Sequence, residues 1–288
     1  MEKFVVGGDR VDSVFVGGPK PVIIAGPCAI ESRDHTLFMA EKIKVACEKS
    51  DLGLIFKSCY DKDCRSSIDS FHGVGLEEGL SILSDVRQEI GLPVVSDFSE
   101  VSDAPAVGEV CDLVQIPAYL CRQTSILRAA AMTEKPLHLK KGQFMSPWNM
   151  RNSLDKLKAF NKDVQCILTD RGTFFGYGQL VNDFTCLDVM RELGVPVGYD
   201  ATHSIQMPTS MGSISGGQRK FIPSLVRAAV AIGVDVIFME VHDNPSRALS
   251  DPNTQLPLEH LESILSQVDF ITKALKDVKA EWAELQVS

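Results

Sequence analysis

Eight short apolar runs recur along the chain, and a helix-length interval separates most of them. They are "PVIIAG" from Pro21, "GLIFKSCY" from Gly53, "PVVSDF" from Pro93, "LVQIPA" from Leu113, "PLHLKK" from Pro136, "VQCILTD" from Val164, "PVGYDATHS" from Pro196 and "VIFMEVH" from Val236. Several are apolar almost throughout, as strands covered on both faces of a parallel sheet must be. The intervals carry a different rhythm: "GLEEGLSILSDVRQEIG" and "IPSLVRAAVAIG" place apolar residues three and four apart, the period of a helix with one buried face. Eight such repeats predict an α/β fold of the (β/α)8 TIM barrel type rather than an open doubly wound sheet. The opening "FVVGGDRVDSVFVGG" alternates around Gly and Asp and predicts a short N-terminal β-hairpin capping the barrel bottom. At the other end, "LEHLESILSQVDFITKALKDVKAEWAEL" predicts an amphipathic last helix whose Leu/Ile stripe belongs to the core. No linker interrupts the pattern, so residues 1–288 are expected to form a single barrel domain.

Composition narrows the function classes. At 44% hydrophobic and 23% charged residues the chain has the ordinary mix of a water-soluble globular protein. No apolar run approaches the roughly 20 residues needed to span a bilayer, and "MEKFVVGGDR" lacks the apolar core of a secretion signal, so a cytoplasmic protein with no membrane partner is expected. A net charge of -9 argues against nucleic acid as a partner, because a nucleic-acid surface needs Lys and Arg spread over a wide face. A small anionic substrate needs only a few cations in one cleft. The eight cysteines are dispersed and include no CxxC pair, which points to reduced thiols and excludes zinc ribbons.

A barrel carries its chemistry on the loops that follow the strands, and nearly every run here ends in a polar residue. Two chemistries separate. Lys57, Lys62, Arg65, Arg122, Lys140 and Arg171 come from different strand ends and form a cation cluster suited to a substrate with several anionic groups. Any one of them alone reads better as a solvated rim residue in a salt bridge, and it is the cluster that points to a substrate. Cys28, His203, Glu240 and Asp251 offer thiolate, imidazole and carboxylate donors, a set that fits a divalent Zn, Fe, Mn or Co ion. Their spacing is no motif in itself, and a cysteine is commonly just a small buried hydrophobe. The set becomes a site only where the first, seventh and eighth strands lie side by side. His242 is expected to be a hydrogen-bonding histidine beside the set.

The stretches "AGPCAIES", "FKSCYDKDCRSS", "QIPAYLCRQT", "KKGQFMSPW", "RGTFFGYGQLVND", "DATHSIQMP", "SGGQRKFIPSLVRAAVAIG" and "FMEVHDNPSRALSDPNTQLPL" together resemble the 3-deoxy-D-manno-octulosonate 8-phosphate synthases, in order from about Phe4 to Leu265. The resemblance implies a homotetrameric barrel that condenses phosphoenolpyruvate with D-arabinose 5-phosphate, releasing phosphate on the way to the lipopolysaccharide sugar Kdo. It implies the metal-dependent type, which has Cys where metal-independent members have Asn. It further implies Cys28, His203, Glu240 and Asp251 as metal ligands, and Lys62, Gln115, Lys140 and Arg171 around phosphoenolpyruvate. Arg122 matches an arginine at a subunit interface beside that site. Lys57, Arg65, Ser66 and Asp97 match positions around the pentose phosphate, and Lys57, Lys62, His203 and Asp251 are expected nearest the chemistry.

The acceptor side departs from the family pattern. Lys-Ala-Asn-Arg-Ser-Ser is replaced by Lys62-Asp63-Cys64-Arg65-Ser66-Ser67, a serine by Cys59, the Arg of "SFRG" by His72 and the His of "DxHE" by Ser99. These changes keep two alternatives open: a related synthase using another phosphorylated aldose such as erythrose 4-phosphate, and a barrel that binds sugar phosphates without turnover.

Overall fold

All eight apolar runs form strands, and they close on themselves. The computed structural model describes residues 2–63, 69–211 and 214–276, with side chains outside 208–215. The barrel strands are β3 (Val22–Gly26), β4 (Leu54–Lys57), β5 (Val94–Asp97), β6 (Leu113–Ile116), β7 (Leu137–Lys140), β8 (Cys166–Asp170), β9 (Val197–Asp200) and β12 (Val236–His242). Each pairs in parallel with its predecessor, and β12 pairs with both β9 and β3, which completes the ring. This puts the first, seventh and eighth barrel strands side by side, the condition on which the metal set depends.

The period-two alternation of the strands sorts their residues into two environments. Ile23 and Ala25, Leu54 and Phe56, Leu137 and Leu139, and Ile237 and Met239 face the surrounding helices and join the large core. Ile24, Ile55, Val95, Leu113, Ile167, Val236 and Phe238 face the barrel axis and form a second apolar layer. Two residues further along each strand the same inward parity brings Lys57, Asp97, Gln115, Thr169 and Glu240 to the C-terminal mouth, and parity places Lys140 and Asp200 there as well. Local sequence thus determines which side chains enter the mouth, and barrel closure determines that they meet.

The hairpin is present as β1 (Phe4–Gly8) and β2 (Val11–Val16), paired antiparallel. Phe4, Val6, Val14 and Val16 pack against the inward layer and plug the barrel bottom. Among the described residues eight α-helices surround the strands: α1 (Arg33–Lys49), α2 (Leu76–Asp85), α3 (Ala104–Val110), α4 (Thr124–Ala131), α5 (Met150–Phe160), α6 (Thr185–Arg191), α7 (Ile222–Ile232) and α8 (Leu261–Ala274). The last helix buries Leu261, Ile264, Leu265 and Val268, so its apolar stripe is core; the expected extension beyond 276 lies outside the described residues. A second hairpin, β10 (Gln206–Met211) with β11 (Ile214–Gly217), rises from the loop after β9, and the two-residue β13 (Leu256–Pro257) pairs with β12. Neither carries a periodic apolar signal. Among the described residues no helix is long and apolar enough to cross a membrane.

Gly26 is fixed by packing. A Cβ there would stand 1.9 Å from the carbonyl oxygen of Lys57 on the neighbouring strand. Gly26→Ala therefore has to separate β3 from β4, and a loss of about 3 kcal/mol or more is expected. A urea midpoint equal to that of the parent would contradict the close approach.

Candidate active site

The mouth has an apolar floor and a charged wall. The Phe238 ring forms the floor, with the Lys140 ammonium 3.1 Å and the Lys57 ammonium 5.6 Å from its centroid. The buried ammonium of Lys57 donates to Glu240 Oε1 at 2.9 Å and to the Cys28 carbonyl at 3.1 Å. Lys62 Nζ reaches the same carboxylate oxygen at 3.7 Å. Lys140 donates to Asp200, which also accepts from His203 Nδ1 at 2.7 Å and from the His203 backbone N–H at 2.9 Å. Holding Nδ1 as the protonated nitrogen leaves Nε2 with its lone pair directed into the mouth. There it stands 3.5 Å from Glu240 Oε1 and 3.9 Å from Asp251 Oδ2.

The sequence-expected metal set assembles. Ligand atoms of Cys28, Glu240 and Asp251 lie within 4.8 Å of one another, and His203 Nε2 faces the two carboxylates. Cys28 Sγ is 3.8 Å from Asp251 Oδ2 and 3.0 Å from Ser250 Oγ, while its backbone N–H donates to Gln255 Oε1 at 3.0 Å. Glu240 Oε2 is buried and has no hydrogen-bond partner. A buried carboxylate oxygen with an unused lone pair, beside a sulfur, an imidazole nitrogen and a second carboxylate, fits a borderline divalent cation. Burial and the charges of Glu240 and Asp251 push the Cys28 thiol well up, against the opposing pull of Lys62, so its thiolate form depends on a cation beside it. Burial opposes ionisation of Glu240 as well, but His203, Lys57 and Lys62 outweigh it and hold the carboxyl well below its usual range.

The other expected residues divide. Gln115 is buried on β6 with its Oε1 unpartnered, and Arg171 presents a buried, unpartnered Nη1 while its Nη2 donates to Gln206 Oε1. Unsatisfied polar atoms in a cleft are the groups a polar ligand completes. Gln206 Nε2 then donates to Asp251 Oδ2 at 3.3 Å, linking Arg171 to the metal set. Asp97 accepts from the Cys59 thiol; burial resists its charge, but Lys57 and Lys62 lower its carboxyl below the usual range. Arg122 does not join the buried cluster: it is exposed on the segment after β6, because that loop carries it outward past the strand end. Arg65, Ser66 and Cys64 lie outside the described residues. His242 makes its hydrogen bonds to Glu31 and Asn244, away from the set, as a hydrogen-bonding histidine.

Sequence reasoning missed the supporting groups. Asp200 was visible only as a strand end, although its place three residues before His203 in "DATHS" matches an acceptor for that imidazole. Gln206, Ser250 and Gln255 had no signal, since their roles depend on loops folding over the mouth.

Comparison with known proteins covers nearly the whole chain. The profile of the DAHP synthetase I family matches residues 4–277. The chain belongs to that family. Among its relatives, proteins named 2-dehydro-3-deoxyphosphooctonate aldolase are 50% identical over 261 residues in Cyanothece sp., covering 90% of this chain and 95% of the relative. The protein of that name in Desulfatibacillum aliphaticivorans is 48% identical over 271 residues, 94% of this chain and 98% of its own length. Another in Rickettsia typhi is 47% identical over 257 residues, 89% and 93% of the two chains. The family match takes in the bottom hairpin, every barrel strand and all four residues of the metal set.

Proposed function

We infer that this barrel is a 3-deoxy-D-manno-octulosonate 8-phosphate synthase, condensing phosphoenolpyruvate with D-arabinose 5-phosphate and water and releasing inorganic phosphate. The observation that carries it is the meeting, at one mouth, of the Cys28, Glu240, Asp251 and His203 donors with Lys57, Lys62, Lys140 and Arg171. The relatives' shared name supports the same reaction. The product serves Kdo and lipopolysaccharide synthesis, in the cytoplasm, by a single-domain subunit of a homotetramer in which Arg122 reaches a neighbouring site.

The chain's own residues account for binding and positioning. Arg171, with its free Nη1, and Lys140 take the carboxylate and phosphate of phosphoenolpyruvate, and Gln115 supplies a further polar contact. Lys62, 3.7 Å from Glu240 Oε1, is a further cation for phosphoenolpyruvate, and the family resemblance assigns the pentose phosphate to Arg65 and Ser66, which lie outside the described residues. Fixing both substrates brings C3 of phosphoenolpyruvate against the aldehyde carbon of the pentose and removes much of the entropic barrier. The new C–C bond forms from the enol double bond as the aldehyde π pair moves onto its oxygen, which takes up a proton. Water adds its oxygen at C2, its proton goes to the surrounding base groups, and the C2–O bond breaks with phosphate as the leaving group. Cys28, His203, Glu240 and Asp251 hold a Zn, Fe, Mn or Co ion, which when bound supplies Lewis-acid polarisation of substrate oxygen.

Phosphate release with phosphoenolpyruvate and arabinose 5-phosphate, measured beside erythrose 4-phosphate before and after chelation, tests the reading. Turnover with the pentose that falls on chelation and returns with a divalent ion is expected. Preference for the four-carbon sugar would reassign the acceptor, and no release with either would make the barrel a binding protein. The Cys59 thiol on Asp97 favours attention to the acceptor side. Cys59→Ser is expected to change KM for the pentose by about tenfold, with KM for phosphoenolpyruvate unchanged, since a well-placed polar contact discriminates sugar hydroxyls.

Burial pushes the Lys140 ammonium down to about 8, against the pull of Asp200. A depressed lysine binds fewer protons folded than unfolded, so its burial penalty is present below pH 8 and fades as pH rises from about 8 toward its ordinary value. Activity moves the other way. The value of kcat/KM for phosphoenolpyruvate is expected to fall above about pH 8 as this cation is lost. Lys140→Arg, charged at all accessible pH, removes that limb; an unchanged profile would separate Lys140 from substrate binding.

A further inference from the structure

A second group of metal-binding side chains lies at the edge of the same mouth, and nothing in the proposed reaction uses it. Ligand atoms of Glu31, His35 and His242 lie within 4.8 Å of one another. The two imidazole centroids are 4.6 Å apart. Asp243 stands behind both rings: its Oδ1 is 3.0 Å from His35 Nε2 and 3.0 Å from His242 Nδ1. Asp243 takes the Nε2–H of His35 and so fixes that ring's tautomer, the arrangement that prepares a histidine for a metal. It leaves His35 Nδ1 as the nitrogen able to bind. His35 Nδ1 is buried and has no hydrogen-bond partner. His242 Nε2 lies 3.2 Å from Glu31 Oε1, so an ion bound by both atoms would take the place of the proton they share.

We propose that Glu31, His35 and His242 form a second divalent-metal site, with two imidazole nitrogens and one carboxylate oxygen as ligands and Asp243 holding the rings. The sulfur-free donor set suits Zn or Co. The Asn244 N–H donates to His242 Nδ1 at 2.9 Å, so the ring carries its proton on Nε2 and donates it to Glu31. Binding an ion moves the Nε2 proton to Nδ1, where Asp243 Oδ1 stands 3.0 Å away to accept it, and breaks the bond from the Asn244 N–H, which is released. The site would tie three segments together: the loop ahead of α1 carrying Glu31, the first turn of α1 carrying His35, and the end of β12 carrying His242. Glu31 Oε1 also accepts from the Leu249 N–H at 2.9 Å, next to the stretch holding Ser250 and Asp251. An ion there clamps the loops that supply Cys28 and Asp251 without touching the reacting atoms.

Stripped full-length protein titrated with Co(II) tests the proposal by counting ions and reading thiolate-to-cobalt charge transfer. The parent is expected to bind two ions per chain, only one of them with that absorption. His35→Gln should bind one, with the sulfur band intact; Cys28→Ser should bind one, without it. A parent that binds a single ion, a His35→Gln protein that still binds two, or a Cys28→Ser protein that binds none overturns the second site. Loss of one ion in His35→Gln together with a parent showing no sulfur band would keep this site and instead remove the Cys28 site from the proposed function.

Discussion

Lys57→Met will leave a protein that is much less stable and nearly inactive. The Lys57–Glu240 pair is sealed, with side chains 1% and 0% exposed, and Lys57 also donates to the Cys28 carbonyl. Removing the ammonium leaves the buried Glu240 carboxylate without its hydrogen-bonding cation, with Lys62 Nζ standing off at 3.7 Å, and breaking one side of a buried pair costs about 3–5 kcal/mol. The same change removes a preorganised positive charge beside the reacting groups, an effect of about 10²–10³ on kcat. The two consequences can be separated with the double variant Lys57→Met/Glu240→Gln. It no longer holds an unpaired buried charge, so its urea midpoint should recover toward the parent, whereas kcat should stay low. Equal midpoints for the single and double variants would mean that the pair is not what stabilises the mouth. Parent-like turnover in Lys57→Met would take this lysine out of the chemistry.

Asp200→Asn should produce the second largest change, through residues it touches. Asp200 is buried, and its carboxyl is held well below the usual range: burial opposes the charge, but His203 and Lys140 outweigh it. The carboxylate does two jobs, fixing the His203 ring through Nδ1 and balancing the Lys140 ammonium over the Phe238 face. An amide keeps the shape and loses the charge. Affinity for the divalent ion is expected to fall about 10–100-fold, the usual effect of removing a carboxylate behind a ligating histidine. Without its partner the Lys140 ammonium is destabilised further, so the alkaline limb of kcat/KM should move to lower pH. Metal content by elemental analysis and a pH profile read these independently. A variant with parent-like ion affinity and an unmoved limb would show that Asp200 serves packing alone.

The periodicities in the chain were enough to identify the barrel. Runs such as "PVIIAG" and "VIFMEVH" are apolar because strands in a parallel barrel are covered on both faces, and the polar residues at their ends marked Lys57, Lys140 and Glu240 as candidates, while the inward direction of these side chains came from the fold. Family resemblance then pointed to Cys28, His203, Glu240 and Asp251, and the first three of these strand ends are adjacent because β12 pairs with both β3 and β9. What the sequence could not supply was anything set by distance between loops. The Gln206 link from Arg171 to Asp251, the Ser250 and Gln255 contacts to Cys28, and the hairpin of β10 and β11 have no periodic signature. Nor does the outward path of Arg122.

The division has a physical origin. Burial patterns repeat locally, at every second or every third to fourth residue, so a one-dimensional string records which face of each element turns inward. Charge pairing and metal geometry depend on atoms a few ångströms apart but far apart in sequence, such as Lys57 and Glu240, or Glu31 and His242. Only closure of the ring and the folding of its loops bring those atoms together, so the residue types were determined by the sequence and their partnerships by the tertiary structure.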